Sequence, residues 1–407
     1  MPDVSFLGLF IVAVVAFLAP LLLGLSPLRR LPSVVLEIIA GIIIGPSVLH
    51  WVKVDLPIQI LSSIGLAFLL FLAGLEVELQ RLRGRLMINV GLGFLFSFGL
   101  ALLVGYGLFI NGQVKSPLFI AIVLVATALG IIVPLLKDAG EITTDFGQLI
   151  VAGAMVAEFG SIILLSLFFS GEAGSIGTKI ILLVGFVLLA VAFAFVIFRL
   201  ERSMSIAEVL VRLQDTTAQI RVRGAFMLLA AFVVLAQVLS LEVILGAFIA
   251  GVLLRLVDSD RMMTHPQFRL KLEAVGFGVF IPIFFVTSGL NFDLAALFAS
   301  PSTLLRVPIF LVALLFVRGV PALFYRPLVG NRRTIVAGLL QATSLSFIVA
   351  ATQIGLALGL LTRATASALI AAGLLSVLIF PLVALTILRR GDVASKPVKE
   401  QVSGEQM

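Results

Sequence analysis

The chain has 407 residues, of which 61% are hydrophobic and only 12% charged, with a formal net charge of +7 and a mean hydropathy of +1.24. These values lie far outside the soluble globular range and describe an all-α polytopic membrane protein. The absence of cysteine excludes a disulfide framework and thiolate metal chemistry, and two histidines in separate loops, His50 and His265, exclude an imidazole cluster, so no enzyme chemistry and no cofactor are expected.

The first apolar run, Val4–Gly24, follows Asp3 and precedes Arg29 and Arg30, the flanks of a retained span rather than of a cleaved signal peptide. A window of about 20 apolar residues per crossing places further spans at Val34–Leu49, Gln59–Leu75, Met87–Phe109, Pro117–Leu136, Phe146–Phe168 and Lys179–Phe198. Beyond a polar loop it places Gly224–Leu239, Leu241–Leu256, Val275–Leu290, Leu304–Tyr325, Thr334–Leu356 and Thr365–Leu388. The expectation is therefore about 13 transmembrane helices. Taken on alternate sides, the loops and ends hold 22 Lys and Arg on one face against 5 on the other, with Arg318 left inside a span. That bias puts the N-terminus outside and the C-terminus inside, and it assigns the positive charge to membrane orientation rather than to nucleic acid.

A repeat runs through the chain. Ala126-Thr127-Ala128-Leu129-Gly130-Ile131-Ile132-Val133 in the fifth span resembles Ala342-Thr343-Ser344-Leu345-Ser346-Phe347-Ile348-Val349 in the twelfth, at an offset of 216 residues. Gly74-Leu75-Glu76-Val77-Glu78-Leu79 matches Gly289-Leu290-Asn291-Phe292-Asp293-Leu294 at an offset of 215. The copies are seven spans apart, so they cross the membrane in opposite directions, the inverted-topology repeat of secondary transporters. In such folds the paired spans are often discontinuous and line the ion path. Thr127, Gly130 and Pro134 in one span, and Gln341, Thr343, Ser344 and Ser346 in the other, supply that chemistry. Any single hydroxyl is accounted for by a bond to its own helix; the clustering at related positions is what points to a site.

Two ionisable residues lie inside spans. Glu158, in Val151–Ser166, is a carboxylate in the middle of an apolar helix, where a charge costs roughly 2.5–3.5 kcal/mol and marks an ion or proton path. The other reading is a carboxyl kept protonated and hydrogen-bonded in the bundle. Arg318 either snorkels to the cytoplasmic face or is compensated by a partner, Glu158 being the available carboxylate, or by the negative end of a broken helix. Glu37 and Glu242 open spans and read as interfacial; Glu76 and Glu78, near Arg81, Arg83 and Arg85, read as a solvated loop face.

Pro32-Ser33-Val34-Val35-Leu36-Glu37, Ala40-Gly41-Ile42-Ile43-Ile44-Gly45-Pro46-Ser47 and the run from Gly65 to Glu76 resemble the signature of the monovalent cation:proton antiporters. The branch is that of bacterial sodium/proton antiporters and potassium efflux systems. Leu245 to Leu254 and Pro282 to Leu290 extend the resemblance over nearly the whole chain. It implies a homodimer in the bacterial cytoplasmic membrane, surrounded by lipid, that exchanges H+ for a monovalent cation, Na+ or K+, by an elevator-like movement. It implies a panel for dimerisation in 1–86 and 224–302, a core with two crossed discontinuous helices in 87–168 and 303–388, a linker helix and cytoplasmic loop in 169–223, and a cytoplasmic tail in 389–407. An acidic pair on the sixth span would bind cation and proton in turn. Here that pair reads Ala157-Glu158, so a single acid remains, and exchange of one proton per cation without net charge movement is expected. Arg318 falls where the family carries a basic residue facing the pair, and Ser344 where many members have a glutamate. The ion site is thus expected at Glu158, Thr127, Thr343 and Ser344, with Glu158 the exchangeable cation's ligand and Arg318 its charge compensation. An organic-anion carrier on a similar inverted-repeat scaffold and a non-transporting sensor or partner are the other readings of the residues.

Overall fold

The computed structural model describes residues 6–25, 32–76, 85–169, 176–201, 216, 219–257 and 266–394, and all regular structure among them is helical. The chain starts with α1 (Phe6–Leu25), α2 (Ser33–Ile44), α3 (Leu56–Leu75) and α4 (Arg85–Ile110). α5 (Pro117–Val125) and α6 (Leu129–Asp138) share the fifth expected span, and α7 (Asp145–Phe169) and α8 (Ile176–Glu201) follow. Next come α9 (Ile220–Val238), α10 (Val243–Val257) and α11 (Pro266–Val275), which runs through a π turn, Gly276–Phe280, into α12 (Ile281–Leu290). The short α13 (Leu294–Phe298) leads to α14 (Pro301–Gly319) and a 3-10 turn, Pro321–Tyr325. α15 (Arg326–Gln341) and α16 (Ser346–Ala357) share the twelfth span, before α17 (Arg363–Ala394). Eight helices among the described residues are long and apolar enough to cross a membrane.

Local chemistry explains the boundaries. Asp55, Ser116 and Ser300 each precede a helix with Pro in its first turn, and each side chain accepts from a backbone N–H three residues on, at 3.2, 3.3 and 3.2 Å. The second span, expected to reach Leu49, ends as a helix at Ile44, because Pro46 disfavours the helical conformation at Gly45, which is extended at φ −76 and ψ −178. The π turn stands just before Pro282, whose missing N–H and bulky ring remove a rung of the helical ladder; a wider turn accommodates both.

The helices pack as two groups. α1, α2, α3, α9, α10, α11 and α12 contact chiefly one another, as do α4 to α7 and α13 to α17, while α8 lies against α7 and α10. Glycines set the separation in the first group. A Cβ on Gly251 of α10 would stand 2.0 Å from the Phe71 carbonyl oxygen of α3, and one on Gly74 of α3 would stand 2.2 Å from the Phe248 carbonyl oxygen of α10. Gly41 and Gly289 do the same between α2 and α12, where added Cβ atoms would meet the Val286 and Ile38 carbonyl oxygens at 2.2 Å each. Backbones this close gain dispersion contacts in a solvent that supplies no hydrophobic drive between helices. Gly251→Val should force α3 and α10 apart and lower stability by about 1–3 kcal/mol, read as a lower melting temperature in detergent. An unchanged melting temperature would mean that the seam tolerates separation.

Candidate ion site at the crossing of two broken helices

The breaks in the fifth and twelfth spans lie against each other. After Val125 the chain is extended at Ala126, with φ −70 and ψ 152, and helix resumes at Leu129. After Gln341 it passes through Leu345, with φ −142 and ψ −56, and resumes at Ser346. The two interruptions satisfy one another: Ala128 N donates to the Thr343 carbonyl at 2.9 Å, and Thr127 Oγ1 donates to the Gln341 carbonyl at 2.7 Å. Both junctions are buried, so each of these bonds removes an orphan backbone group that lipid could not satisfy.

Glu158 sits near the middle of α7 and is 4% exposed. Its Oε2 accepts from Leu129 N, the first residue of α6, at 3.1 Å. The break therefore presents a helix N-terminus to the carboxylate, with an unsatisfied N–H and the positive end of the helix dipole. Neighbouring Ala157 is fully buried, so no second acid adjoins Glu158 on its N-terminal side.

Arg318, on α14, is 2% exposed, which excludes snorkelling. Its guanidinium bonds to neutral oxygens and not to Glu158, so of the two compensations expected, a carboxylate partner or the negative end of a broken helix, the contacts are of the second kind. Nε donates to Thr127 Oγ1 at 2.9 Å, one terminal nitrogen to Ser97 Oγ at 3.1 Å, and the other to Gln341 Oε1 at 3.1 Å and the Gly153 carbonyl at 3.4 Å. Of these neutral oxygens, that of Thr127 sits at the break of the fifth span and that of Gln341 at the C-terminal end of α15, the negative ends of interrupted helices, while Ser97 and Gly153 belong to the continuous helices α4 and α7. Gln341 in turn directs Nε2 to the Tyr325 hydroxyl at 3.4 Å. A Cβ at Gly153 would lie 2.3 Å from Gln341 Nε2, so glycine there lets the amide reach Arg318.

The remaining expected site residues divide. Thr127 joins both breaks to Arg318. Thr343 bonds its hydroxyl back to the Leu339 carbonyl at 3.2 Å and contributes to the junction through its own carbonyl. Ser344 is held by Ser376 of α17, whose Oγ lies 3.1 Å from its N and 3.0 Å from its O, while its own hydroxyl is buried with no partner. The Ser161 hydroxyl, one turn beyond Glu158 on α7, is likewise buried and unpartnered. Among the described residues no group of three or more His, Cys, Asp or Glu side chains comes together.

Sequence reasoning missed Ser97, Gly153, Ser161 and Ser376. Only Ser97 left a signal, as a lone hydroxyl in the apolar run Gly93-Phe94-Leu95-Phe96-Ser97-Phe98-Gly99-Leu100. Of the other acids, Glu37 is 3% exposed within α2. Glu76 is half-buried rather than a solvated loop face, with Oε1 3.8 Å from an Arg269 terminal nitrogen and Oε2 buried without a hydrogen bond. Burial pushes the Glu76 carboxyl up to about 7, against the pull of Arg269. Glu78, Arg81 and Arg83 lie outside the described residues.

Gln341→Leu should leave a buried guanidinium nitrogen and the Tyr325 hydroxyl short of a partner, at a cost of about 1–3 kcal/mol, and depress the melting temperature in detergent. Gln341→Glu, which restores an acceptor to Arg318, should recover most of that loss. Equal melting of Gln341→Leu and the parent would mean that the Gln341 amide does not support Arg318.

Comparison with known proteins agrees with this architecture. The family model described as sodium/hydrogen exchanger, transmembrane, matches residues 13–390. YjbQ of Bacillus subtilis is 31% identical over 397 residues, covering 94% of this chain, and the chain spans 63% of that relative's length. The Na(+)/H(+) antiporter of Enterococcus hirae is 28% identical over 363 residues, 87% of this chain and 91% of that protein. The structure of the sodium proton antiporter MjNhaP1 from Methanocaldococcus jannaschii at pH 8 superposes with a TM-score of 0.59 at 15% identity, covering 97% of this chain and 99% of that one, a likeness of fold. With its matched region running from the first helix into the last, the chain belongs to the transmembrane sodium/hydrogen exchanger family.

Proposed function

We propose that this chain exchanges a monovalent cation, Na+ or K+, for H+ across the membrane, with Glu158 as the shared binding group. The observation that carries this reading is a buried carboxylate held at the N-terminus of a broken helix, with the unpartnered Ser161 hydroxyl one turn along the same helix and that of Ser344 at the paired break. Proton and cation compete because each neutralises the same group. The helix terminus favours the ionised form and holds the carboxylate in place between loads, while Ser344 and Ser161 offer neutral oxygens of the kind that ligate alkali cations. Thr127 and Thr343 act through the junction, positioning the terminus rather than the ion. Organic-anion carriage fits less well, because the helix N-terminus that would receive an anion is already occupied by Glu158.

The group containing α4 to α7 and α13 to α17 is read as a core that moves, and the group containing α1 to α3 and α9 to α12 as a panel through which two copies dimerise. This follows the proposed division of 87–168 and 303–388 from 1–86 and 224–302, with 169–223 as the linker and 389–407 as the tail, except that α13, within 224–302, packs on α14 and α17 and is grouped with the core. The proposed topology is 13 crossings with the N-terminus outside, and the core's halves related as an inverted repeat. The paired breaks and the two packing groups support an elevator-like cycle.

Glu158→Gln should abolish exchange while melting as the parent does, because the amide keeps the shape and loses the titration. Cation efflux from vesicles that still moved protons at the parental rate would remove Glu158 from the mechanism.

One carboxylate, with Ala157 unable to bind a proton and Arg318 a fixed charge, exchanges one proton for one cation, so the loaded core carries equal charge in both directions. The voltage contribution of about 2.3 kcal/mol per charge per 100 mV is large enough to be decisive. Proteoliposomes clamped at different potentials with potassium and valinomycin, transporting Na+, should exchange at equal rates with no sustained current. A current reversing with the gradients of two protons and one cation would require a second titrating group.

A further inference from the structure

Three of the hydrogen bonds between the two helix groups lie at one end of the bundle, the end that carries the connections α2–α3, α12–α13 and α16–α17, beside that from Leu294 N of α13 to Ser47 Oγ at 3.3 Å. Gln353 Nε2 of α16 donates to Ser288 Oγ of α12 at 3.2 Å. Asp293 N, just after α12, donates to Ser367 Oγ of α17 at 3.1 Å. Glu242 N, just before α10, donates to Ser166 Oγ of α7 at 3.2 Å. At the same end a cavity of about 1020 Å³ opens between the groups, with Ser62, Thr287 and Ser288 on one wall and Val349, Thr352 and Gln353 on the other. Its lining reaches Val349 on α16 and stops short of Ser344 and Glu158. The Gln353–Ser288 bond spans the cavity from wall to wall.

We propose that Gln353 is a positioning residue of the exchange cycle: its bond to Ser288, with the two flanking bonds, clasps core to panel and closes the ion site toward this cavity. This deepens the exchange reading and rests on it. The clasp has the chemistry of a releasable contact. Each of its bonds is a single neutral one, unlike the set of four around Arg318, and Gln353 and Ser288 border a polar cavity large enough for water to replace a lost partner. Ser288 Oγ is also bonded to the Phe284 carbonyl at 2.8 Å, so the panel side stays ordered when the core side leaves. Sliding of α16 past α12 breaks the clasp and extends the cavity down to Ser344.

The chain contains no cysteine, so thiols can be placed one at a time. In the Ser288→Cys/Gln353→Cys variant, bridging with a short bifunctional methanethiosulfonate should stop exchange, and reductant should restore it; neither single variant should respond to the reagent. Bridged protein exchanging at the unbridged rate would overturn the clasp. A second measurement needs no transport. In Ser344→Cys protein, labelling by a membrane-impermeant maleimide should become severalfold faster from the cavity side, and slower from the opposite side, when Gln353→Leu is added. Unchanged rates, or rates rising equally from both sides, would overturn the clasp and indicate a purely structural role. Loss of exchange in the parent vesicles would instead count against the exchange reading, while the labelling result still decides the clasp.

Discussion

Everything in the core depends on how two interrupted helices satisfy each other inside a solvent that offers no hydrogen bonds. A break exposes backbone groups that cost several kcal/mol each if left unpaired in lipid. Here Ala128 N meets the Thr343 carbonyl, and Thr127 Oγ1 meets the Gln341 carbonyl, so neither break would be affordable without the other. The junction has a second consequence. It turns the ends of four short helices toward the bundle centre, and those ends carry opposite partial charges. The N-terminus of α6 receives Glu158, and the C-terminal end of α15, with Thr127, receives Arg318. Both intramembrane charges are placed by one backbone event.

The surrounding helices make that event rigid. Gly153 lets Gln341 lie against α7, and Ser376 of α17 grips both backbone groups of Ser344. Where α6 leads into α7, Arg333 of α15 lies 3.4 Å from Glu141 and over the Phe146 ring. The two halves of the core are thereby tied at a second level. The first helix group combines close glycine contacts between backbones with aromatic packing, Phe68 of α3 lying against Phe226 of α9 and Phe280.

Much of this was legible in the sequence. The apolar segments follow from composition and length, and the paired Ala-Thr strings pointed to the two spans that break. Hydroxyl-bearing residues flanked by alanine offer the backbone alternatives to helix, which is why the string marks a junction. Glu158 stood out because a lone acid in an apolar helix has few explanations. Its partner did not, because a backbone N–H at Leu129 has no side-chain signature and exists as a donor only once the helix has broken. Arg318 was recognised as in need of compensation if buried, but sequence left open whether a carboxylate or the negative end of a broken helix supplied it, because helix ends inside a span appear only once the chain has folded. Ser97 and Gly153 come from helices distant in sequence, and only packing brings them to Arg318. The burial of Glu37 left no sign in the sequence for a related reason: only packing of the folded helices covers it.

The separation of Arg318 from Glu158 bears on coupling. Had the guanidinium bonded the carboxylate directly, the pair would have been neutral without any ion, and neither proton nor cation would be needed to carry Glu158 through a low-dielectric barrier. Because Arg318 is instead satisfied by neutral oxygens and helix ends, its charge is accommodated independently of what Glu158 binds. The helix terminus at Leu129 supplies only a partial positive charge, enough to orient the carboxylate but not to cancel it. An empty, ionised Glu158 therefore remains costly to move, and either ion removes that cost. In the proposed cycle this asymmetry is what forbids the core from crossing unloaded. It links obligatory exchange to a structural choice, placing the fixed cation at the negative ends of the broken helices and leaving the carboxylate for the transported ion to neutralise.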